Sequence, residues 1–134
     1  GPQTFRVTSD PGHLGALHTT SVGKALVAFA DDATRSRLVD ELELEPLTEF
    51  SITDREAFRA EIELVRQRGF AVMDQENELG MRAVAVPVFN AQGHAFASLA
   101  TAVPVFRMSI EALVALVPLL QAAAAELAAR LPQQ

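Results

Sequence analysis

The stretch that decides the fold runs from Phe70 to Ala102 and reads FAVMDQENELGMRAVAVPVFNAQGHAFASLATA. It contains three apolar runs of strand length, and the segments between them carry the Asn, Asp and Gly residues that turns require. Strands that follow one another directly favour an antiparallel sheet, because parallel neighbours need a long crossover between them. The stretch therefore predicts strands at Phe70–Asp74, Met81–Phe89 and Ala95–Ala102, of which the last two form a hairpin. Pro87 predicts an edge position or a bulge in the second strand.

Helices are predicted before and after these strands. Thr53 has Glu56 three residues later, which is the pattern of a capping box, and Gly69 favours a left-handed cap after about Arg68. The other predicted elements are a strand at Thr4–Val7, a short apolar helix capped by Thr20 or Ser21, a short helix from Asp31, and a helix over Ser109–Leu131 that Pro118 kinks or splits. Together they predict an α+β fold with a largely antiparallel sheet flanked by helices.

Composition limits the classes of function. The chain has 134 residues, a net charge of −6 and no cysteine, which predicts one domain without disulfides or cysteine-bound metals. An acidic domain is a poor match for nucleic acid, because neutralising phosphates requires clustered Lys and Arg. No metal or cofactor site is predicted. No apolar run is expected to approach the ~20 residues that a membrane span needs, so a cytoplasmic protein without membrane contact is predicted.

The turn Ser21-Val22-Gly23 is the best candidate for a binding site. Small residues that lead into a helix present free backbone N–H groups to an anion, although many helices begin this way and bind nothing. Asp74, at a strand end, either accepts a hydrogen bond from a ligand hydroxyl or only contacts solvent. The phosphate-loop and nucleophile-elbow motifs are both incomplete around Ser21, so no enzymatic activity is predicted. A small hydrolase or isomerase using His18, Ser21 and Asp74 stays as an alternative.

Several segments, in order along the chain, resemble the C-terminal effector-binding domain of IclR-type transcriptional regulators. The resemblance extends from about Phe5 to Leu131, and its motifs are LHTTSVGKAL at 17–26, PLT at 46–48 with ITD at 52–54, RQRGFAVMDQE at 66–76, and GMRAVAVPVF at 80–89. It implies a GAF-like fold and a sensor of small organic acids. The sequences of these motifs are most similar to those of the branch that regulates aromatic-acid and β-ketoadipate catabolism.

The resemblance also implies the site residues. Ser21 and Val22, next to the signature Gly23, would offer N–H groups to a ligand carboxylate, and Asp74 matches the pocket aspartate of the family. The implied ligand-binding set is Ser21, Val22, Gly23, Asp74, Met81, Ala83, Ala100 and Ala102. Ala100 and Ala102 stand where some members have serines. A less polar wall of this kind favours acids with an apolar or aromatic body over very small keto-acids.

The same resemblance implies a longer regulator around this domain. DNA would be bound only through an N-terminal winged helix-turn-helix domain. That domain is expected to be absent from residues 3–134, and so are the first strands of the effector domain. Gly1-Pro2 resembles the scar of a tag-removing protease. A homodimer or homotetramer is expected, in which the ligand changes subunit packing and operator affinity. An oligomerisation module without a ligand remains the second alternative, because the last helix is strongly apolar.

Overall fold

The computed structural model describes residues 4–8 and 16–130, and within these ranges it has four strands and five helices. The strands are β1 (Thr4–Thr8), β2 (Ala71–Asp74), β3 (Met81–Phe89) and β4 (Ala95–Pro104). The helices are α1 (Ser21–Ala28), α2 (Asp32–Glu41), α3 (Arg55–Arg68), α4 (Ile110–Val114) and α5 (Val117–Arg130). The predicted loop at 10–15 and the predicted helix end at Leu131 lie outside the described residues.

The strands form one antiparallel sheet in the order β1-β4-β3-β2. This arrangement confirms the predicted α+β class and the predicted hairpin of β3 and β4. β2 pairs with β3 only as far as Ala85, so β3 has a single neighbour at Pro87, where the missing N–H interrupts no ladder on the open side. A register shift follows between Val88 and Phe89. The proline thus marks a local edge next to a bulge.

Helices cover both faces of the sheet. α1 is buried at all eight positions, and it packs on β3 and β4 with α3 outside it. Its approach to the sheet is possible because the strands present the small residues Ala71, Ala85 and Ala100 to this core. On the other face, α4 and α5 pack against the valines of β3. The sheet thus separates two cores, and α1 lies in the one on which the candidate site is built.

One predicted helix boundary needs correction. α3 is capped by Asp54 rather than Thr53, because the Asp54 carboxylate accepts the Ala57 N–H at 2.9 Å. A charged acceptor also complements the positive end of the helix dipole better than a hydroxyl does. The other end is as predicted, since Gly69 has φ 88° and caps the helix in the left-handed conformation. Phe58, Ile62 and Val65 form its buried face.

The C-terminal helix is split, as Pro118 predicts. α4 ends at Val114, and Pro118 occupies the second position of α5, where an N–H would have no acceptor within the helix. By length and composition, Ile110–Arg130 is apolar enough to cross a membrane, so the expectation that no run approaches that length is wrong. Leu113 and Leu120 nevertheless face the sheet core, as expected of helices that cover a sheet.

Candidate functional site

The first turn of α1 has two backbone N–H groups for which the described part of the chain offers no acceptor. Thr20 caps the helix: its hydroxyl accepts the Gly23 N–H at 3.0 Å, and its carbonyl accepts the Lys24 N–H at 3.0 Å. Among the described residues, no acceptor bonds the N–H groups of Ser21 and Val22. A helix N-terminus carries a partial positive charge and leaves its first donors unsatisfied. This turn can therefore hold an anion.

A cavity of about 100 Å³ opens beside this turn. α1 supplies one side, the loop between β2 and β3 supplies another, and the sheet forms the floor. Its lining residues are Thr20, Ser21, Val22, Met73, Asn77, Glu78, Met81, Ala83, Ala100 and Ala102. Six of the eight residues that the sequence predicted for ligand binding are among them. The floor is apolar, and the polar groups lie at the helix end and in the loop.

Gly23 does not line the cavity but allows the turn beside it to form. A Cβ at this position would lie 2.5 Å from the Leu17 carbonyl oxygen and 2.7 Å from the Leu17 Cα. Both are backbone atoms, which cannot move aside as a flexible side chain can. Glycine is therefore required here by the close approach of the chain that leads into α1.

We expect Gly23→Ala to destabilise the domain by about 1–3 kcal/mol, as overpacking of a tight site does. The sign is informative, because the same exchange in an open helix interior stabilises by roughly 1 kcal/mol. Urea unfolding of the parent protein and of Gly23→Ala measures the difference in the free energy of unfolding. A Gly23→Ala variant that is more stable than the parent protein would contradict the tight contact with Leu17. Gly80→Ala cannot serve as a control, because Gly80 has φ 84° and alanine would be strained there.

Asp74 is not brought together with the other predicted site residues. Side chains alternate between the two faces of a strand, and Met73 lines the cavity. Asp74 instead accepts a hydrogen bond from Arg82 Nε at 3.2 Å, and Arg82 also donates to the Met108 carbonyl at 2.8 Å. These contacts place Asp74 on the side of the sheet where the chain approaches α4. Alternation after the buried Ala71 would have indicated this from the sequence alone.

The alternative catalytic set is not assembled either. His18 is buried, and its Nε2 lies 2.7 Å from the Glu45 carbonyl oxygen. Ser21 lines the cavity, whereas Asp74 is paired with Arg82 on the other side of the sheet. A nucleophile, its base and an orienting carboxylate must lie within hydrogen-bond reach of one another. His18 and Asp74 are bonded to other groups, and Asp74 lies on the opposite face of the sheet from Ser21, so the three residues do not form such a set.

Lys24, one turn into α1, is fully buried, and its hydrogen bonds connect α1 to α3, to β2 and to the loop between β2 and β3. Its ammonium group donates to Glu61 Oε2 at 2.8 Å, Glu76 Oε1 at 2.9 Å and the Val72 carbonyl at 2.7 Å. All three N–H donors are thereby satisfied, as a buried lysine requires. Burial raises the pKa of the Glu76 carboxyl above its ordinary value, and the nearby Lys24 ammonium partly offsets this effect.

Four cavity residues were not predicted as ligand-binding from the sequence: Thr20, Met73, and the two residues Asn77 and Glu78 of the loop between β2 and β3. Asn77 accepts a hydrogen bond from the Thr19 hydroxyl at 2.7 Å, which joins the loop to the chain before α1. Glu78 is exposed and lines the cavity. The alternating acids at 74, 76 and 78 were a visible signal, but the sequence does not show which of them reaches the site.

A larger groove of about 460 Å³ lies between β3 and α5. It is lined by Phe29, Gly69, Pro87, Phe89, Gln121, Ala124, Ala125 and Ala128. Among the described residues that line it, Gln121 supplies the only polar side chain and none is charged, so an anion would find no cation or helix N-terminus there. The smaller cavity at α1 is the better candidate on chemical grounds.

Comparison with known proteins identifies the family. The family described as "Bacterial transcriptional regulator IclR C-terminal" matches residues 1–129. The chain belongs to the IclR family. Among curated relatives, the probable transcriptional regulator SauR of Cupriavidus necator is 43% identical over 123 residues, 92% of this chain and 49% of that protein. The Pca operon regulatory protein of Acinetobacter baylyi is 34% identical, over 93% of this chain and 46% of that protein.

Solved structures of the IclR family agree with this fold. The inducer-binding domain of the transcription factor PobR from Acinetobacter, a double mutant in complex with 3-hydroxybenzoic acid, has a TM-score of 0.76 and 35% identity, and covers 84% of this chain and 65% of that one. The C-terminal domain of the Escherichia coli regulator KdgR has a TM-score of 0.75 and 34% identity, over 84% of this chain and 69% of that one. These neighbours confirm the GAF-like fold of an IclR effector-binding domain. The chain spans about half the length of the curated relatives it matches.

Proposed function

We propose that this IclR effector-binding domain binds a small aromatic carboxylic acid in the cavity at the start of α1. The observation that carries the proposal is the juxtaposition of an apolar floor with the Ser21 and Val22 N–H groups, which no acceptor bonds among residues 4–8 and 16–130. A carboxylate would accept the two N–H groups at the positive end of the helix dipole. The ring would lie over Ala83, Ala100 and Ala102.

A polar substituent on the ring would find its partners in the loop between β2 and β3. Glu78 is an acceptor for a ligand hydroxyl, and its negative charge repels a carboxylate from that end of the cavity. Asn77 supplies an amide beside it. Glu78 thus takes the role that the sequence assigned to Asp74. The bound 3-hydroxybenzoic acid of the PobR structure is an acid of this class.

Cavity size favours a compact ligand. A volume of about 100 Å³ is below the range of roughly 300–1,000 Å³ that is usual for drug-sized ligands. We therefore expect a ligand no larger than one ring with a carboxylate and a short polar substituent. The alanines in place of hydroxyl residues leave a keto-acid such as glyoxylate with fewer partners.

At the level of the whole regulator, we propose that the ligand acts through assembly. The relatives are transcriptional regulators, so the cytoplasm, where operator DNA lies, is the expected compartment, and a separate winged helix-turn-helix domain is expected to contact that DNA. A ligand shifts such an equilibrium only by its differential affinity for two states. A homodimer or homotetramer supplies these states, and no enzymatic turnover is required.

Calorimetric titration of the domain tests the proposal. We expect saturable one-site binding of 3-hydroxybenzoate, 4-hydroxybenzoate or protocatechuate, with pyruvate, glyoxylate and β-ketoadipate as comparison acids. 3-Hydroxybenzyl alcohol is the matched control, because it keeps the ring and hydroxyl but lacks the carboxylate. It should bind at least about tenfold more weakly, since hydrogen bonds to charged groups contribute roughly 1.5–3 kcal/mol. Equal binding of the alcohol and the acid would contradict the anion site.

A ligand-free oligomerisation module is the second candidate, and one observation favours it. Leu119 on the outer face of α5 is 68% exposed, among small residues of the same helix. Leu119→Lys would break an association through this face. A change of oligomeric state in that variant, together with no binding of any tested acid, would favour this candidate.

A further inference from the structure

The buried Lys24 connects the anion-binding end of the cavity to the loop that forms its opposite wall. Lys24 lies in the same helix as Ser21 and Val22, and its ammonium bonds the Glu76 carboxylate at 2.9 Å. Glu76 is the second residue of the loop, and the next two residues, Asn77 and Glu78, line the cavity. One side chain of α1 therefore contacts the wall that faces its own N-terminus.

Glu76 uses both carboxylate oxygens to hold this loop. Oε1 accepts from Lys24, and Oε2 accepts the backbone N–H of Asp74 at 3.2 Å. The Glu76 carbonyl in turn accepts the Ser51 hydroxyl at 2.7 Å, and the Thr48 hydroxyl donates to the Gln75 carbonyl at 2.6 Å. The start of the loop is thus fixed from two sides, by α1 and by the segment between α2 and α3.

The backbone at this point needs such support. Gln75 has φ 65°, the only positive φ of a non-glycine residue in the described part of the chain. A left-handed conformation is unfavourable for a residue with a Cβ and persists where surrounding contacts impose it. Thr48 bonds the Gln75 carbonyl itself, whereas Ser51 and the Glu76 carboxylate hold its two neighbours, Glu76 and Asp74. These contacts direct the following residues, Asn77 and Glu78, to the cavity.

We propose that the Lys24–Glu76 ion pair positions the β2–β3 loop as a wall of the cavity, and that Glu76 thereby determines how tightly aromatic acids bind. This inference rests on the proposed function for its binding part only. Glu61, the other carboxylate on Lys24, belongs to α3 and contributes nothing to the loop. Both glutamates therefore carry a negative charge and bond Lys24, but only Glu76 belongs to the loop that lines the cavity.

The test compares Glu76→Gln with Glu61→Gln. A glutamine at 76 has one acceptor oxygen and one donor group, so it can keep the Lys24 contact or the Asp74 N–H contact but not both. A glutamine at 61 keeps its single contact to Lys24. Each variant removes one negative charge, which by itself should strengthen binding of an anionic ligand. If only Glu76→Gln binds the ligand more weakly, the change in charge therefore cannot be the cause.

Two measurements separate the outcomes. In the ligand-free protein, amide hydrogen exchange over residues 75–80 should be about tenfold faster in Glu76→Gln and little changed in Glu61→Gln. Calorimetry should show that 3-hydroxybenzoate binds about tenfold more weakly to Glu76→Gln than to Glu61→Gln. If Glu76→Gln does not fold, Glu76→Asp replaces it, since this variant keeps the charge and shortens the side chain by one methylene.

Equal exchange in the two glutamine variants would overturn the positioning role, whatever the binding result. Faster exchange with unchanged affinity would overturn the role in binding. If the parent protein binds no aromatic acid while Glu76→Gln still loosens the loop, the proposed function fails and the positioning role is supported. The exchange measurement requires no ligand, so the two failures are distinguishable.

Discussion

Ser21→Pro is expected to lower the affinity for an aromatic carboxylate by about tenfold or more while the fold is retained. The substitution removes one of the two N–H groups that face the cavity, and a hydrogen bond to a charged group contributes roughly 1.5–3 kcal/mol. Ser21 is the first residue of α1, the position at which proline is best tolerated in a helix. Calorimetric titration with 3-hydroxybenzoate measures the loss.

The local backbone already suits a proline at this position. Thr20 has φ −108° and ψ 148°, the extended conformation that a residue before proline prefers. Thr20 still receives the Gly23 N–H on its hydroxyl, so the cap survives. Thermal unfolding should therefore show little change, and a small gain is expected because proline restricts the unfolded chain. A loss of affinity in this variant would be a local effect.

Ser21→Ala is the matched control for the backbone donor. It keeps the N–H group and removes only the hydroxyl, so its affinity should stay close to that of the parent protein. Equal losses in the alanine and proline variants would assign the contact to the hydroxyl rather than to the backbone. A folded Ser21→Pro protein with the parent's affinity would overturn the anion site at α1.

The sequence was sufficient for the elements of the fold, because these depend on local signals. Gly69 needs φ 88° at the end of α3, and Pro118 has no N–H to continue a helix; both residues indicate the boundary at which they stand. The choice of Asp54 over Thr53 as a cap was harder. Both residues can accept an N–H, and which of them does so depends on where the chain enters the helix.

The candidate site was predicted only in part, because it combines residues that are distant in the chain. The family resemblance indicated Ala83, Ala100 and Ala102, whose side chains share a face of the sheet. Glu78 could not be found in this way, because a loop without a regular period directs its side chains by its particular contacts. The Lys24–Glu76 pair that holds this loop spans 52 residues. Long-range ion pairs leave no periodic signal in a sequence.

Lys24→Met is expected to have the largest effect on stability, about 3–5 kcal/mol, because breaking a buried ion pair leaves uncompensated charge. The side chain is fully buried, and its loss leaves Glu76, 14% exposed, without its cation and the Val72 carbonyl without a donor. A domain of this size is stable by roughly 5–15 kcal/mol, so the variant should unfold at much lower urea concentration. Equilibrium unfolding by circular dichroism measures the difference.

Arg59→Met is the control for the removal of a positive charge as such. Arg59 also pairs with two carboxylates, Asp40 at 3.0 Å and Glu56 at 3.4 Å, but its side chain is 47% exposed. Exposed pairs contribute only about 0–1 kcal/mol, so this variant should unfold almost as the parent protein does. Similar losses in the two variants would show that burial of Lys24 is not what makes its ion pairs important.

The penalty of Lys24→Met should also depend on pH, with a sign that Glu76 determines. A carboxyl group whose folded-state pKa exceeds its unfolded value stabilises the fold at low pH, and this contribution is lost as the pH rises through the folded pKa. The pKa of Glu76 is already raised from its ordinary value of 4.5 by burial, and Lys24 is the group that opposes the rise. Without Lys24 the pKa rises further, so the difference in unfolding free energy between parent and variant should be smallest below about pH 4.5, where only the lost Val72 hydrogen bond and the lost packing contribute, and should grow toward neutral pH. A penalty that is equal at pH 4 and pH 7 would contradict a buried, uncompensated Glu76 charge and would assign the loss to packing of the lysine side chain instead.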